Sequence, residues 1–191
     1  MLTRLRQICI SPSLVIDGNI ESEKINYTME MIDNLIHSDH KILIFSQFVS
    51  ALELVQKELI KNNIPYFLIT GDTQSKRRLE MCEEFNKNES NEKVFLISLK
   101  AGGTGLNLIG ADTVIHLDPW WNIAIENQAS DRAHRIGQQR KVTVFKLIMN
   151  NSIEEKVIEL QKNKMEIAEK IISNDSELHA LSFDDYDYLL S

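Results

Sequence analysis

The chain has 191 residues, 43% apolar and 26% charged, with a formal charge of −7 at pH 7; that is enough for one domain with its own core, or one domain with an accessory segment, in the composition range of soluble globular proteins. No run of about 18 apolar residues appears, which excludes a conventional membrane-spanning helix, and arginines interrupt MLTRLRQICI as a signal core. Cys9 and Cys82 are too few for a disulfide scaffold and lack metal-ligand spacing, so a reducing intracellular setting is expected.

In chain order, short apolar runs rich in β-branched residues alternate with helical patterns. KILIF (41–45), YFLI (66–69), VFLIS (94–98), TVIHL (113–117) and VTVFKLI (142–148) read as strands, several nearly continuous in apolar residues, as strands covered on both faces are. Between the first two, Phe48, Leu52, Val55 and Leu59 form one helical stripe. After YFLI, Leu79, Cys82 and Phe85 predict a second helix with Ser75 as its cap. The alternation predicts an α/β fold with a mostly parallel sheet flanked by helices. Beyond the last strand, Ser152 with Glu155 reads as a capping box opening a helix with Ile153, Val157, Leu160 and Ile167 on its apolar face. Residues 151–191 hold four lysines and ten carboxylates, so most of the net charge lies there and a polyanion could still meet residues 1–150 locally.

Two stretches carry candidate chemistry. Four of the seven glycines fall within residues 102–110, directly after a strand. Gly102, Gly103 and Gly105 could turn backbone N–H groups towards an anion at the carboxyl end of the sheet, or simply make a tight turn. The stretch is neither GxxxxGK[ST] nor GxGxxG, so it is no Walker A loop and no dinucleotide fingerprint. In SDRAHRIGQQRKV (130–142) and the residues just before it, Gln128, Arg132 and Arg135 are spaced to share one face of a helix starting after Asn122. Arginine forks match phosphate oxygens and can stabilise the charge of a transferring phosphoryl group; a solvated helix with surface ion pairs is the alternative. Asp118 before Pro119 reads as a loop-ordering carboxylate or a ligand for magnesium or water, and His116 as a packed residue in a strand. Trp120 and Trp121 read as stacking platforms for bases or an apolar anchor. No nucleophile–histidine–carboxylate set and no zinc site is present.

AGGTGLNLIGADTVIHLDPWWN followed by ENQASDRAHRIGQ strongly resembles helicase motifs V and VI of the Swi2/Snf2 family of superfamily 2 ATPases. LRQICISPSL, KILIFSQFVSALELVQKEL, LITGDTQSKRRLEMCEEFN and NSIEEKVIELQKNK resemble the family's flanking blocks, so the likeness covers nearly all of residues 1–172. It implies the second RecA-like motor lobe, without Walker A, of an ATP-dependent double-stranded-DNA translocase that needs no oligomer. Under it, residues 1–23 lead in from the first lobe, 24–150 form the lobe, 151–172 a brace helix and 173–191 an acidic tail. ATP, with Mg2+ held chiefly by the first lobe, would face Gln128, Arg132, Arg135 and Gly105, with Arg135 as the finger on the γ-phosphate. Ser46, Gln47, Gly71, Asp72, Thr73, Gly103 and Thr104 would meet the DNA backbone, and the chain alone would be inactive. Thr70 and Ile123 stand where relatives often carry aspartate and proline. An intracellular protein is expected, cytoplasmic or nucleoid-associated if bacterial. The competing readings are a non-catalytic DNA- or protein-binding module and an autonomous single-lobe nucleotide-binding protein.

Overall fold

Five short strands pair throughout in parallel in the order β2-β3-β1-β4-β5 in the computed structural model, which describes residues 1–172 apart from 19, 103, 104 and 136. The strands are β1 (Ile42–Ser46), β2 (Tyr66–Ile69), β3 (Val94–Ser98), β4 (Thr113–His116) and β5 (Thr143–Lys146). Around them lie α1 (Leu2–Ile10), a 3-10 turn (Pro12–Leu14), α2 (Glu23–His37), α3 (Val49–Lys61), α4 (Ser75–Asn86), α5 (Leu99–Gly102), α6 (Ile123–Ser130) and α7 (Ile153–Ile172). The parallel α/β sheet read from the sequence is thus present, with β2 and β3 at the expected bounds.

Side-chain alternation along the strands separates two cores. Leu43 and Phe45 of β1 face one side, joined by Phe95 and Ile97 and covered by Met81, Cys82 and Phe85 of α4. Ile42 and Ile44 face the other side, covered by Ile10, Ile25 and Ile32 of α1 and α2 and by Leu52, Val55 and Leu59 of α3. Helices α2 and α3 end alike. Asp39 (φ 58°) and Asn63 (φ 55°) adopt the left-handed conformation, and His40 and Ile64 donate back to Leu35 and Leu59 carbonyls at 2.9 Å. These are Schellman terminations in which short polar side chains take the place of glycine. The α1 and α2 helices lie in stretches that the strand–helix alternation leaves unassigned; α2 is opened by Ser22, which accepts from Ile25 N–H at 3.2 Å.

Four local expectations are corrected. Ser75 is the first residue of α4, after Gln74, and makes no cap; Thr73 and Arg78 order the preceding turn instead. Leu79 is 62% exposed, because steps of three residues lose about 60° each on a helix and put it about 120° from Phe85. The helix expected to run through Arg135 ends at Ser130. There the chain tightens into i→i−3 bonds, Arg132 N–H to Ala129 O (3.2 Å) and Ala133 N–H to Ser130 O (3.1 Å). At α7, Ser152 Oγ accepts from Glu154 N–H (3.1 Å), but Glu155 reaches Asn151 N–H (2.9 Å), so the capping box is offset by one residue.

The order of strands matters for the site. The chain moves from central β1 to β2 and β3 on one side, then to β4 and β5 on the other. The loops after β1 and β4 therefore meet where the direction reverses, the crevice in which parallel sheets place ligands.

Candidate functional site

Asp118, two residues beyond β4, sits at the centre of that crevice, fully buried. Ser46 Oγ donates to its Oδ1 at 2.5 Å, Gln47 Nε2 to its Oδ2 at 2.6 Å, and Arg6 of α1 lies 3.5 Å from Oδ2. Burial pushes the carboxyl above its ordinary range, opposed by the Ser46 bond, the Arg6 charge and the Gln47 bond. Every neighbour donates, an arrangement that favours the carboxylate form. Asp118 is thus the loop-ordering carboxylate of the two sequence alternatives. Arg6 also donates to Gln47 Oε1 (2.9 Å) and to Pro119 O, and its guanidinium lies 5.2 Å from the Trp121 ring and 5.7 Å from the Trp120 and Phe48 rings. The two tryptophans stack on each other with centroids 4.1 Å apart.

A second cation holds the same region. Lys24 of α2 is buried and donates to Leu117 O and Leu147 O, both at 3.0 Å, and to both oxygens of Glu154 in α7 at 2.8 and 2.6 Å. Glu154 accepts a further bond from Met149 N–H (2.8 Å); burial raises its pKa, against the pull of Lys24. On the other flank, Glu126 accepts from Trp120 N–H at 2.5 Å and pairs with Lys146 of β5. His116 stacks on Phe45 and bonds Ser130 Oγ at 3.0 Å. Burial pushes its pKa down to about 4, helped by Lys146 and resisted by Glu126, so the ring is neutral at pH 7. Because the Ser130 hydroxyl donates to Glu126 O (3.1 Å), His116 Nε2 carries the proton.

Arg132 and Arg135 differ sharply in setting. Arg132 is 4% exposed, has no ion pair among the described residues, and its Nε lacks a hydrogen-bond partner there. Burial lowers its pKa, followed by repulsion from Arg135, with Asp131 opposing. Arg135 and Gln128 are exposed. The three therefore do not share one helical face; the turn at Ser130 separates Gln128 from the arginines. The segment is bolted to the glycine stretch by Leu108 N–H to Arg132 O (3.1 Å) and by Gln138. The Gln138 amide donates to Ala111 O (2.6 Å), Ile109 O (3.0 Å) and Ala133 O (3.2 Å). Gly105 is exposed with φ 64°, which lets the chain turn before buried Leu106. Gly110 has a different need, since a Cβ there would lie 2.9 Å from Asn86 Cα and 3.0 Å from Phe85 O.

Residues 23–137 match the helicase conserved C-terminal domain. The chain belongs to that helicase family. It is 41% identical over 92% of its length to an uncharacterised ATP-dependent helicase of Mycoplasma pneumoniae, and 35% identical over its whole length to the putative ATP-dependent helicase/translocase YwqA of Bacillus subtilis. It spans 17% and 21% of those two proteins. A crystal structure of the C-terminal part of the Fun30 ATPase domain superposes with a TM-score of 0.71 at 28% identity, covering 96% of this chain and 57% of that one. These likenesses support the C-terminal lobe of an Snf2-type helicase, with the RecA-like parallel sheet that the resemblance implied.

In this helicase lobe the residues expected at DNA occupy three settings. Ser46 is fully buried and spends its hydroxyl on Asp118 and on Phe48 N–H (3.0 Å), so it orders the loop rather than facing outward. Gln47 is half-buried between Arg6 and Asp118. Gly71 and Asp72 are exposed and Thr73 half-buried, on a turn closed by Thr70 N–H to Thr73 Oγ1 (3.0 Å) and by Arg78, which donates to Thr73 O (2.7 Å), Thr70 O (3.1 Å) and Gly71 O (3.0 Å). The turn is ordered without the aspartate common at position 70. Ile123 likewise starts α6 without proline, because Asn122 Oδ1 accepts from Ala124 N–H at 3.0 Å. Gly103, Thr104 and the tail at 173–191 lie outside the described residues. Sequence reading missed Arg6, Lys24, Glu126, Glu154 and Gln161 as site residues. The signal for the first two is a cation inside an apolar helical stripe, Arg6 beside Cys9 and Ile10, Lys24 beside Ile25 and Thr28. Among the described residues no group of three acids, histidines or cysteines could hold a metal, and no helix is long and apolar enough to cross a membrane.

Proposed function

We propose that this chain is the second motor lobe of an ATP-dependent double-stranded-DNA translocase, completing a nucleotide site begun on another lobe. The observation that carries the reading is Arg132, a guanidinium removed from water with no carboxylate against it among the described residues. A buried cation is costly unless an anion meets it, and a polyphosphate is an anion whose oxygens fit the arginine fork. Exposed Arg135, three residues on, would reach across to the γ-phosphate as the finger, and Gln128 on α6 and Gly105 would border the nucleotide. ATP supplies the phosphoryl group whose transfer to water drives the motor, and Mg2+ would be held chiefly by the first lobe. The chain's own part is electrostatic: it would hold positive charge where negative charge develops on the phosphoryl oxygens. The Gly71–Thr73 turn, Gln47 and residues 103 and 104 would meet the DNA backbone, positioning the motor without selecting sequence.

The test is DNA-stimulated ATP hydrolysis by the two-lobe protein containing this chain. Arg135→Ala should lower turnover by about a hundredfold or more, the usual cost of one oxyanion-stabilising donor. Unchanged turnover would refute the finger and favour the binding-module reading. The chain by itself should hydrolyse negligible ATP. Tight ATP binding to it in calorimetry would favour the autonomous nucleotide-binding alternative instead.

A further inference from the structure

Helices from opposite ends of the described chain grip consecutive residues of one loop. Pro119 O accepts from Arg6 of α1, and Trp120 O accepts from Gln161 of α7. Leu117 O, just before, accepts from Lys24 of α2. Arg6, Lys24 and Gln161 are all nearly fully buried. Loops ordinarily lie on the surface with their polar groups in water, so this concentration of long-range, buried donors on one segment goes beyond what turn formation requires.

We infer that Leu117–Trp121 is a mechanical junction through which α1 and α7 set the position of the arginine segment, with Arg6 and Gln161 as its positioning residues. The inference rests on the motor reading above for its functional consequence. The loop is stiffly joined to α6 and, through it, to the arginines. Trp120 N–H is held by Glu126 in the first turn of α6, Asn122 caps the same helix, and the turns after Ser130 lead directly to Arg132. A shift of the loop therefore moves Arg132 and Arg135 with it. The two arms are also joined to each other, since Val157 and Leu160 of α7 pack with Leu2 of α1. Among the described residues Arg6 and Gln161 make their bonds to Gln47, Asp118, Pro119 and Trp120, and neither pairs with Arg132 or Arg135, so each acts through the loop.

Trp120 and Trp121 are the only two tryptophans in the chain and both lie in the junction, so intrinsic fluorescence reads it directly. In the 191-residue chain, Arg6→Gln and Gln161→Leu should each red-shift tryptophan emission and increase acrylamide quenching while far-UV circular dichroism holds. Arg6→Lys should behave like Arg6→Gln, because an ammonium keeps the charge but loses the planar fork that reaches Gln47, Pro119 and the rings. In the two-lobe protein, Arg6→Gln and Gln161→Leu should each lower kcat about tenfold to a hundredfold, the cost of a misplacement near 1 Å, with KM for ATP within about twofold. The double variant should lose no more than the worse single, since both act on one segment. Emission and quenching unchanged from wild type in both singles would overturn the junction whatever the activity shows. So would multiplicative losses of kcat in the double. Absence of ATPase in the wild-type two-lobe protein would instead overturn the motor reading and leave the fluorescence result to decide the junction.

Discussion

Replacing Lys24 with methionine gives a demanding test of how this lobe is held together. The substitution keeps the length of the side chain but removes an ammonium that is 3% exposed and serves three acceptors: Leu117 O, Leu147 O and the Glu154 carboxylate. Glu154 is left buried without its cation, the Met149 amide still donating to it at 2.8 Å. Removing one partner of a buried pair costs about 3–5 kcal/mol, because the other charge remains uncompensated. For a chain of this size that corresponds to a fall in Tm of roughly 6–20 °C. Thermal and urea unfolding followed by circular dichroism measure it, and pH identifies the cause. Burial already raises the Glu154 pKa, and without Lys24 it should rise further. A carboxyl whose pKa is higher folded than unfolded stabilises the fold in its protonated form, and that contribution is lost as pH rises through the folded value. The deficit of Lys24→Met should therefore be smaller at pH 5 than at pH 8. Adding Glu154→Gln should recover part of the loss at pH 8. A single variant as stable as wild type, or a double variant less stable than the single, would refute the uncompensated-charge account.

His116 predicts the opposite slope. Its pKa falls to about 4 on folding from an ordinary value of 6.5, so the stability gained from the neutral ring is lost as pH drops through that interval; His116→Phe should flatten the dependence of Tm on pH there, and an unchanged slope would rule the residue out as its source. Gly110→Ala forces a methyl against Asn86 Cα and Phe85 O, backbone atoms that cannot swing away. A loss of about 1–3 kcal/mol in urea unfolding is expected, and a neutral result would mean that the α4 end yields more readily than its packing implies.

The strands are legible in the sequence because each is a compact apolar run and the sheet buries both faces of its centre; Val94–Ser98 and Tyr66–Ile69 need no tertiary information. The α3 stripe is legible for the same reason, with Leu52, Val55 and Leu59 at true helical spacing. Leu79 misleads because three-residue spacing looks periodic over two steps and drifts off the buried face. The end of α6 is hidden because nothing between Ser130 and Arg135 forbids helix; the backbone bond of Leu108 to Arg132 and the side-chain amide of Gln138, which joins Ala133 to Ile109 and Ala111, draw the chain out of it. Arg132 and Arg135 stand out as a pair, but nothing in their spacing encodes that one is buried and the other exposed. Arg6 to Pro119 and Lys24 to Glu154 span 113 and 130 residues. No local pattern encodes such a pairing, although a lone cation in an apolar stripe does announce that some acceptor must meet it.

The strand order also governs how the chain must assemble. The first strand in sequence, Ile42–Ser46, is the central one, and its neighbours begin only at Val94 and Thr113. No hairpin is available to start the sheet, and the contacts that define it close loops of about 50 and 70 residues, which makes for slow folding. As the polypeptide leaves the ribosome, the sequence ILIF emerges with both of its edges open long before either neighbour exists. Such an edge recruits other chains. Helices α1 and α2, made before it, and α3, made at once after it, cover its Ile42 and Ile44 face, so the nascent strand keeps open edges but not an open apolar face until the rest of the lobe is made.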